Sequence, residues 1–134
     1  MASKPRPRLR GFDYTGKYRY SLTFCTFRRR RWFIDAAIVN EIHRQILRAS
    51  ALERYAVLAY CYMPDHLHLL VEAGDDTSDA QRLLARLKQL SGYAFMQTHG
   101  ERLWQPSGWD HVLRRNEDLA AAIRYLLLNP VRAG

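Results

Sequence analysis

A chain of 134 residues that is 48% hydrophobic is long enough for one domain with its own core, and too apolar for a disordered segment. No apolar run approaches the ~20 residues of a membrane span, and the N-terminal stretch MASKPRPRLRG lacks the apolar centre of a secretory leader, so the expectation is a soluble, cytoplasmic protein with no membrane partner. The formal net charge is +8, and only Lys4, Lys17 and Lys88 of the positive residues are lysines. Arginine grips phosphate through two parallel N–H groups, so a small domain of this balance expects a polyanion, nucleic acid first; a basic surface kept for solubility is the plainer alternative.

Residues 1–17 read as an extended basic arm, and 18–134 as a single domain without linker or internal repeat. Residues 18–27, YRYSLTFCTF, are aromatic and β-branched, which predicts a strand with Tyr18, Tyr20, Leu22 and Phe24 on one face and Thr23, Cys25 and Phe27 on the other. Arg28 to Arg31 form a charged strand end or loop. Asp35 can cap a helix whose apolar positions Ile38, Val39, Ile42 and Ile46 recur at helical spacing. YAVLAYCYM (55–63) and HLHLLVE (66–72) predict two strands joined through a turn at Pro64 and Asp65. After GDDTSD, Ser78 with Gln81 three residues on resembles a capping box, opening a helix with the core stripe Ala80, Leu83, Leu84, Leu87, Leu90 and Ala94. Residues 108–114 suit a fourth strand. Asn116 can cap a last helix that Pro130 ends, with Glu117 and Asp118 in its positive first turn. Cys25 and Cys61 lack ligand-like spacing and fit a reducing compartment. The order β-α-β-β-α-β-α predicts an α+β fold: a ferredoxin-like split βαβ sandwich, its antiparallel sheet carrying two helices on one face, with one extra C-terminal helix.

The pair His66 and His68 is the feature a core does not require. Two residues apart on a strand, both side chains project to the same face, opposite Leu67, Leu69 and Val71, and on the face the helices leave uncovered. An H-x-H by itself is a weak motif, and two packed, satisfied imidazoles explain it equally well. A partner can come from the last helix, where Tyr125 and Asn129 lie one turn apart on the flank of the apolar stripe Leu119, Ile123, Leu126 and Leu127. The plainer alternative is a boundary tyrosine beside an asparagine that ends the helix before proline.

Three separated stretches, MPDHLHLL (63–70), WDHVLR (109–114) and YLLLNPVRAG (125–134), resemble the single-tyrosine HUH transposases, and within them the REP-associated tyrosine transposases. The resemblance implies that His66, His68 and Asn129 are metal ligands and that Tyr125 is the nucleophile. It also implies the ferredoxin-like fold. Asp65 stands where many members carry asparagine and would set an extra carboxylate beside the metal. The implied activity is metal-dependent cleavage and rejoining of single-stranded DNA at hairpin-containing sites through a 5′-phosphotyrosine, by a monomer or a homodimer. Mixed nitrogen and oxygen ligands suit Mg²⁺ or Mn²⁺. A descendant that binds hairpins without cutting is the alternative, and a histidine-triad hydrolase is excluded because a third alternating histidine is missing at Leu70.

For the DNA, the basic candidates are Arg6, Arg8 and Arg10 of the arm, the run Arg28, Arg29, Arg30 and Arg31, and Arg114 and Arg115 after the fourth strand. Arg124 and Arg132 lie near the tyrosine. Arg82 and Arg86, with Gln89 and Tyr93, make a stripe on the second helix that could follow a phosphate backbone and stack a base, or could simply be a solvated face.

Overall fold

In the computed structural model, which describes residues 19–106 and 109–113, strand β1 (Arg19–Cys25) is followed by helix α1 (Ala36–Leu52), strands β2 (Tyr55–Met63) and β3 (His66–Ala73), helix α2 (Ala80–His99) and strand β4 (Trp109–Leu113). The four strands form one antiparallel sheet in the order β2-β3-β1-β4. This order inserts β3 between β1 and β2, which is the split βαβ arrangement expected from the sequence. The basic arm and the last helix, with its cap at Asn116, lie outside the described residues. Among the described helices none is long and apolar enough to cross a membrane.

Strand alternation divides the sheet into two faces. Tyr20, Leu22 and Phe24 of β1 and Leu67, Leu69 and Val71 of β3 are buried in one cluster with Ile38, Ile42 and Ile46 of α1 and Leu83, Leu84 and Leu87 of α2. Both helices therefore cover the face opposite His66 and His68. The side chain of Asp35 accepts from the N–H groups of Ala37 and Ile38 and caps α1, as its sequence pattern predicts.

The start of α2 differs from expectation. Asp79, not Ser78, is the cap, accepting from the N–H groups of Gln81 and Arg82. Ser78 is fully buried and its hydroxyl donates to the Arg54 carbonyl, tying the helix entry to the connection between α1 and β2. Asp79→Ala is therefore expected to cost about 1 kcal/mol in urea denaturation, whereas Gln81→Ala, costly only in a capping box, should change stability by less than about 0.5 kcal/mol. The core stripe of α2 also rotates at its C-terminal half: Ser91 and Phe95 are buried, while Leu90 and Ala94 stand at the margin. The reason is Trp104, whose indole N–H donates to Ser91 Oγ at 2.8 Å and whose ring packs on Phe24.

The edge strand β2 carries a bulge between Val57 and Ala59. One inserted residue exchanges the two faces beyond it. Tyr60 and Tyr62 thereby reach the helix side, where both rings meet His43 of α1, while Cys61 and Met63 are set opposite His68 and His66.

Candidate metal and nucleic-acid site

The histidine face is built at the centre of the sheet, where β3 is flanked by β1 and β2. In the strand register Cys25 lies opposite His66 and Thr23 opposite His68 on one side, and Met63 and Cys61 take the same positions on the other. Leu70 is fully buried on this face, and Met63 and Cys25 are buried as well, yet all three stand outside the core cluster under the helices. This face is the one that α1 and α2 leave uncovered, as expected from the sequence, and these three side chains on it are buried.

The two imidazoles are in contact edge to face, their centroids 4.8 Å apart at 89°. Each uses Nδ1 inside the fold. His66 Nδ1 is 2.7 Å from Asp65 Oδ1, and because an ionised carboxylate only accepts, Nδ1 carries the proton and a neutral ring keeps its lone pair on Nε2. Burial alone would oppose ionisation of Asp65, but hydrogen bonds from Arg29 and His66 outweigh it and hold the carboxyl below its usual pKa. His68 Nδ1 is 3.0 Å from Thr23 Oγ1, and the tautomer that donates to this hydroxyl likewise frees Nε2. Burial, reinforced by repulsion from His66, lowers the His68 pKa to about 4, so this ring is neutral near pH 7. Two adjacent imidazoles, each oriented through Nδ1, fit the histidine part of a divalent-metal site. Among the described residues no group of three or more His, Cys, Asp or Glu converges to hold an ion. The third ligand and the nucleophile implied by the resemblance, Asn129 and Tyr125, lie outside the described residues, as do Arg6, Arg8, Arg10, Arg114, Arg115 and Arg124.

Asp65 places one oxygen on Nδ1 of His66, and its other oxygen accepts from Arg29 Nε at 3.0 Å. The arginine run belongs to a tight loop beside this site, with 3-10 turns at Phe27–Arg29 and Trp32–Ile34. Arg28 to Arg31 are exposed. The guanidinium groups of Arg28 and Arg102 each lie 5.1 Å from the centre of the Phe27 ring, so two cations flank one aromatic face at the edge of the site. Arg102 carries no local sequence signal; it arrives because Phe27 N–H donates to the Leu103 carbonyl and Thr26 pairs with Trp104.

Arg82 and Arg86 are placed elsewhere. Both ion-pair with Glu53, which is buried at the end of α1, at 3.4 and 3.0 Å. Arg86 is thus committed to compensating a buried carboxylate, and Arg82, whose side chain is 70% exposed, does so only from the outside. Tyr93 on the same helix is 67% exposed.

This sheet with helices on one face has its counterpart among transposases. A family profile described as Transposase IS200 like matches residues 14–112, so the chain belongs to that transposase family. Within it the resemblance is to the REP-associated tyrosine transposases. An Escherichia coli (strain K12) REP-associated tyrosine transposase is 25% identical over 117 residues, covering 77% of this chain and 67% of that protein. A Haemophilus influenzae protein assigned to the same group is 28% identical over 107 residues, 72% of this chain; the match spans only 61% of that protein's length. The solved structure of a REP-associated tyrosine transposase bound to a REP hairpin superposes with a TM-score of 0.74 at 19% identity, over 96% of this chain and 75% of that one. A Deinococcus radiodurans protein assigned as a transposase superposes at 0.63 with 23% identity, over 92% and 97% of the two chains. These two structures establish the shared fold.

Proposed function

We propose that the protein cleaves and rejoins single-stranded DNA beside hairpins, with Tyr125 as nucleophile and His66, His68 and Asn129 holding a divalent ion, Mg²⁺ or Mn²⁺. The observation that carries this reading is the imidazole pair in contact on one sheet face with both Nδ1 atoms engaged within the fold, in a member of a transposase family. The REP hairpin bound by the structural relative supports hairpin DNA as the substrate class.

In the proposed reaction the Tyr125 phenol oxygen attacks a backbone phosphorus, forming a P–O bond to the tyrosine as the bond to the 3′ oxygen breaks. The phenol proton is lost and the departing 3′ oxygen gains one. The 5′-phosphotyrosine conserves the linkage, so attack by a 3′ hydroxyl reverses the step without ATP. A phenol with a pKa near 10 is mostly protonated at neutral pH; a bound divalent ion supplies Lewis acidity at the phosphate. The chain's own part is to orient both imidazoles through Nδ1, and to gather cationic side chains for the strand. If about six arginines touch phosphate, the log–log slope of binding against salt should be roughly −4 for a single strand, measurable by fluorescence anisotropy.

Incubating the protein with single-stranded hairpin DNA from around its own gene and Mg²⁺ or Mn²⁺ tests the proposal. A covalent protein–DNA band that requires the ion is expected. Tight hairpin binding with no band under either ion would make the protein a hairpin binder instead.

A further inference from the structure

The loop that carries the four arginines is fastened to the turn that precedes the histidines. Thr26 N–H donates to the Asp65 carbonyl at 3.0 Å, and the buried Thr26 hydroxyl lies 2.7 Å from the Arg30 carbonyl and 3.1 Å from that of Asp65. Phe33 N–H donates to the Pro64 carbonyl at 3.0 Å. Within the loop Arg28 and Arg29 both adopt left-handed backbone, with φ of 57° and 53°. For residues with a Cβ this costs about 1 kcal/mol or more each and persists only where surrounding contacts over-determine it. One such contact is the Arg29 guanidinium on Asp65 Oδ2, whose other oxygen holds His66.

We propose that Arg29 is a positioning residue for the ion site: through Asp65 it fixes the His66 ring with Nε2 presented to the ion, and so raises affinity for a divalent cation it never touches. The chain of contacts is continuous, 3.0 Å from Arg29 Nε to Asp65 and 2.7 Å from Asp65 to His66 Nδ1. Without Arg29 the carboxylate loses the partner that fixes its plane, and the imidazole is free to turn. The sign of the effect separates this role from simple electrostatics. A guanidinium near a cation site repels the ion, so charge alone predicts that removing Arg29 tightens ion binding. Positioning predicts the opposite.

The inference rests on the ion reading proposed above, and one set of measurements distinguishes their failures. Mn²⁺ uptake by the metal-free full chain, followed by loss of the free-ion electron paramagnetic resonance signal without DNA, should weaken about 10- to 100-fold in Asp65→Ala, the range usual for a residue orienting a ligand. Arg29→Gln should weaken it less, about three- to tenfold, because it acts one contact further away. Arg29→Lys, which keeps the charge and can still reach Asp65, should bind more tightly than Arg29→Gln. A wild-type chain that takes up no Mn²⁺, or takes it up equally after His68→Ala, overturns the ion reading and this inference together. Uptake lost in His68→Ala yet unchanged or tighter in Arg29→Gln overturns the inference alone. Melting curves of the ion-free variants confirm that the compared chains are folded.

Discussion

The double substitution His66→Ala with His68→Ala is expected to lower ion-dependent cleavage of a hairpin substrate by at least about a hundredfold, because Lewis-acid stabilisation by a bound ion contributes several kcal/mol to such a step. Chelation should reduce wild-type cleavage to the same level, and restoring Mn²⁺ should rescue the wild type alone. The fold should survive. Both imidazoles lie on the face opposite the core under α1 and α2, and the packing of Leu67, Leu69 and Val71 is untouched. The local loss is the hydrogen bond between His68 and Thr23, about 1 kcal/mol, together with the partner of Asp65 Oδ1. Quantified covalent product and a melting curve on the same preparation check both halves. Undiminished cleavage by the double variant with ion present would show that these histidines are structural.

Tyr125→Phe is expected to abolish the covalent protein–DNA product outright. It removes the oxygen that forms the phosphate ester in the proposed reaction and keeps the aromatic ring of the side chain. Hairpin affinity should change by no more than about twofold, the ordinary effect of removing a single hydroxyl. Denaturing gel electrophoresis of a labelled hairpin reads the first quantity, and anisotropy the second. Loss of binding along with cleavage would reassign Tyr125 from nucleophile to structural or DNA-contacting residue. A band retained in the variant would move the nucleophile to another side chain.

Much of the described architecture is local in origin and was therefore legible in the residues. Period-two alternation of aromatic and branched residues marks β1 and β3, and it also dictates that His66 and His68 share a face opposite Leu67 and Leu69. The helical spacing of Ile38, Ile42 and Ile46 behind Asp35 places α1 and its cap. Where two local signals compete, sequence is a poorer guide. Ser78 and Asp79 are both good caps, and Ser78 is withdrawn from that role because its hydroxyl satisfies the Arg54 carbonyl, a group 24 residues away. The burial of Ser91 in place of Leu90 follows from an indole 13 residues further along the chain.

Composition and alternation by themselves determined an arginine-rich α+β domain with two imidazoles side by side on one sheet face, since charge is additive and strand periodicity is a property of adjacent residues. Three features were decided only in three dimensions. The β2 bulge places Cys61 and Met63 beside the histidines and carries Tyr60 and Tyr62 to the helices, because a one-residue slip against β3 is invisible without the partner strand. Glu53 draws Arg82 and Arg86 onto itself because it is buried, and burial is set by the packing of α1 against α2. Asp65 becomes a bridge from Arg29 to His66 because the loop after β1 closes on the turn before β3 through contacts 36 to 39 residues apart.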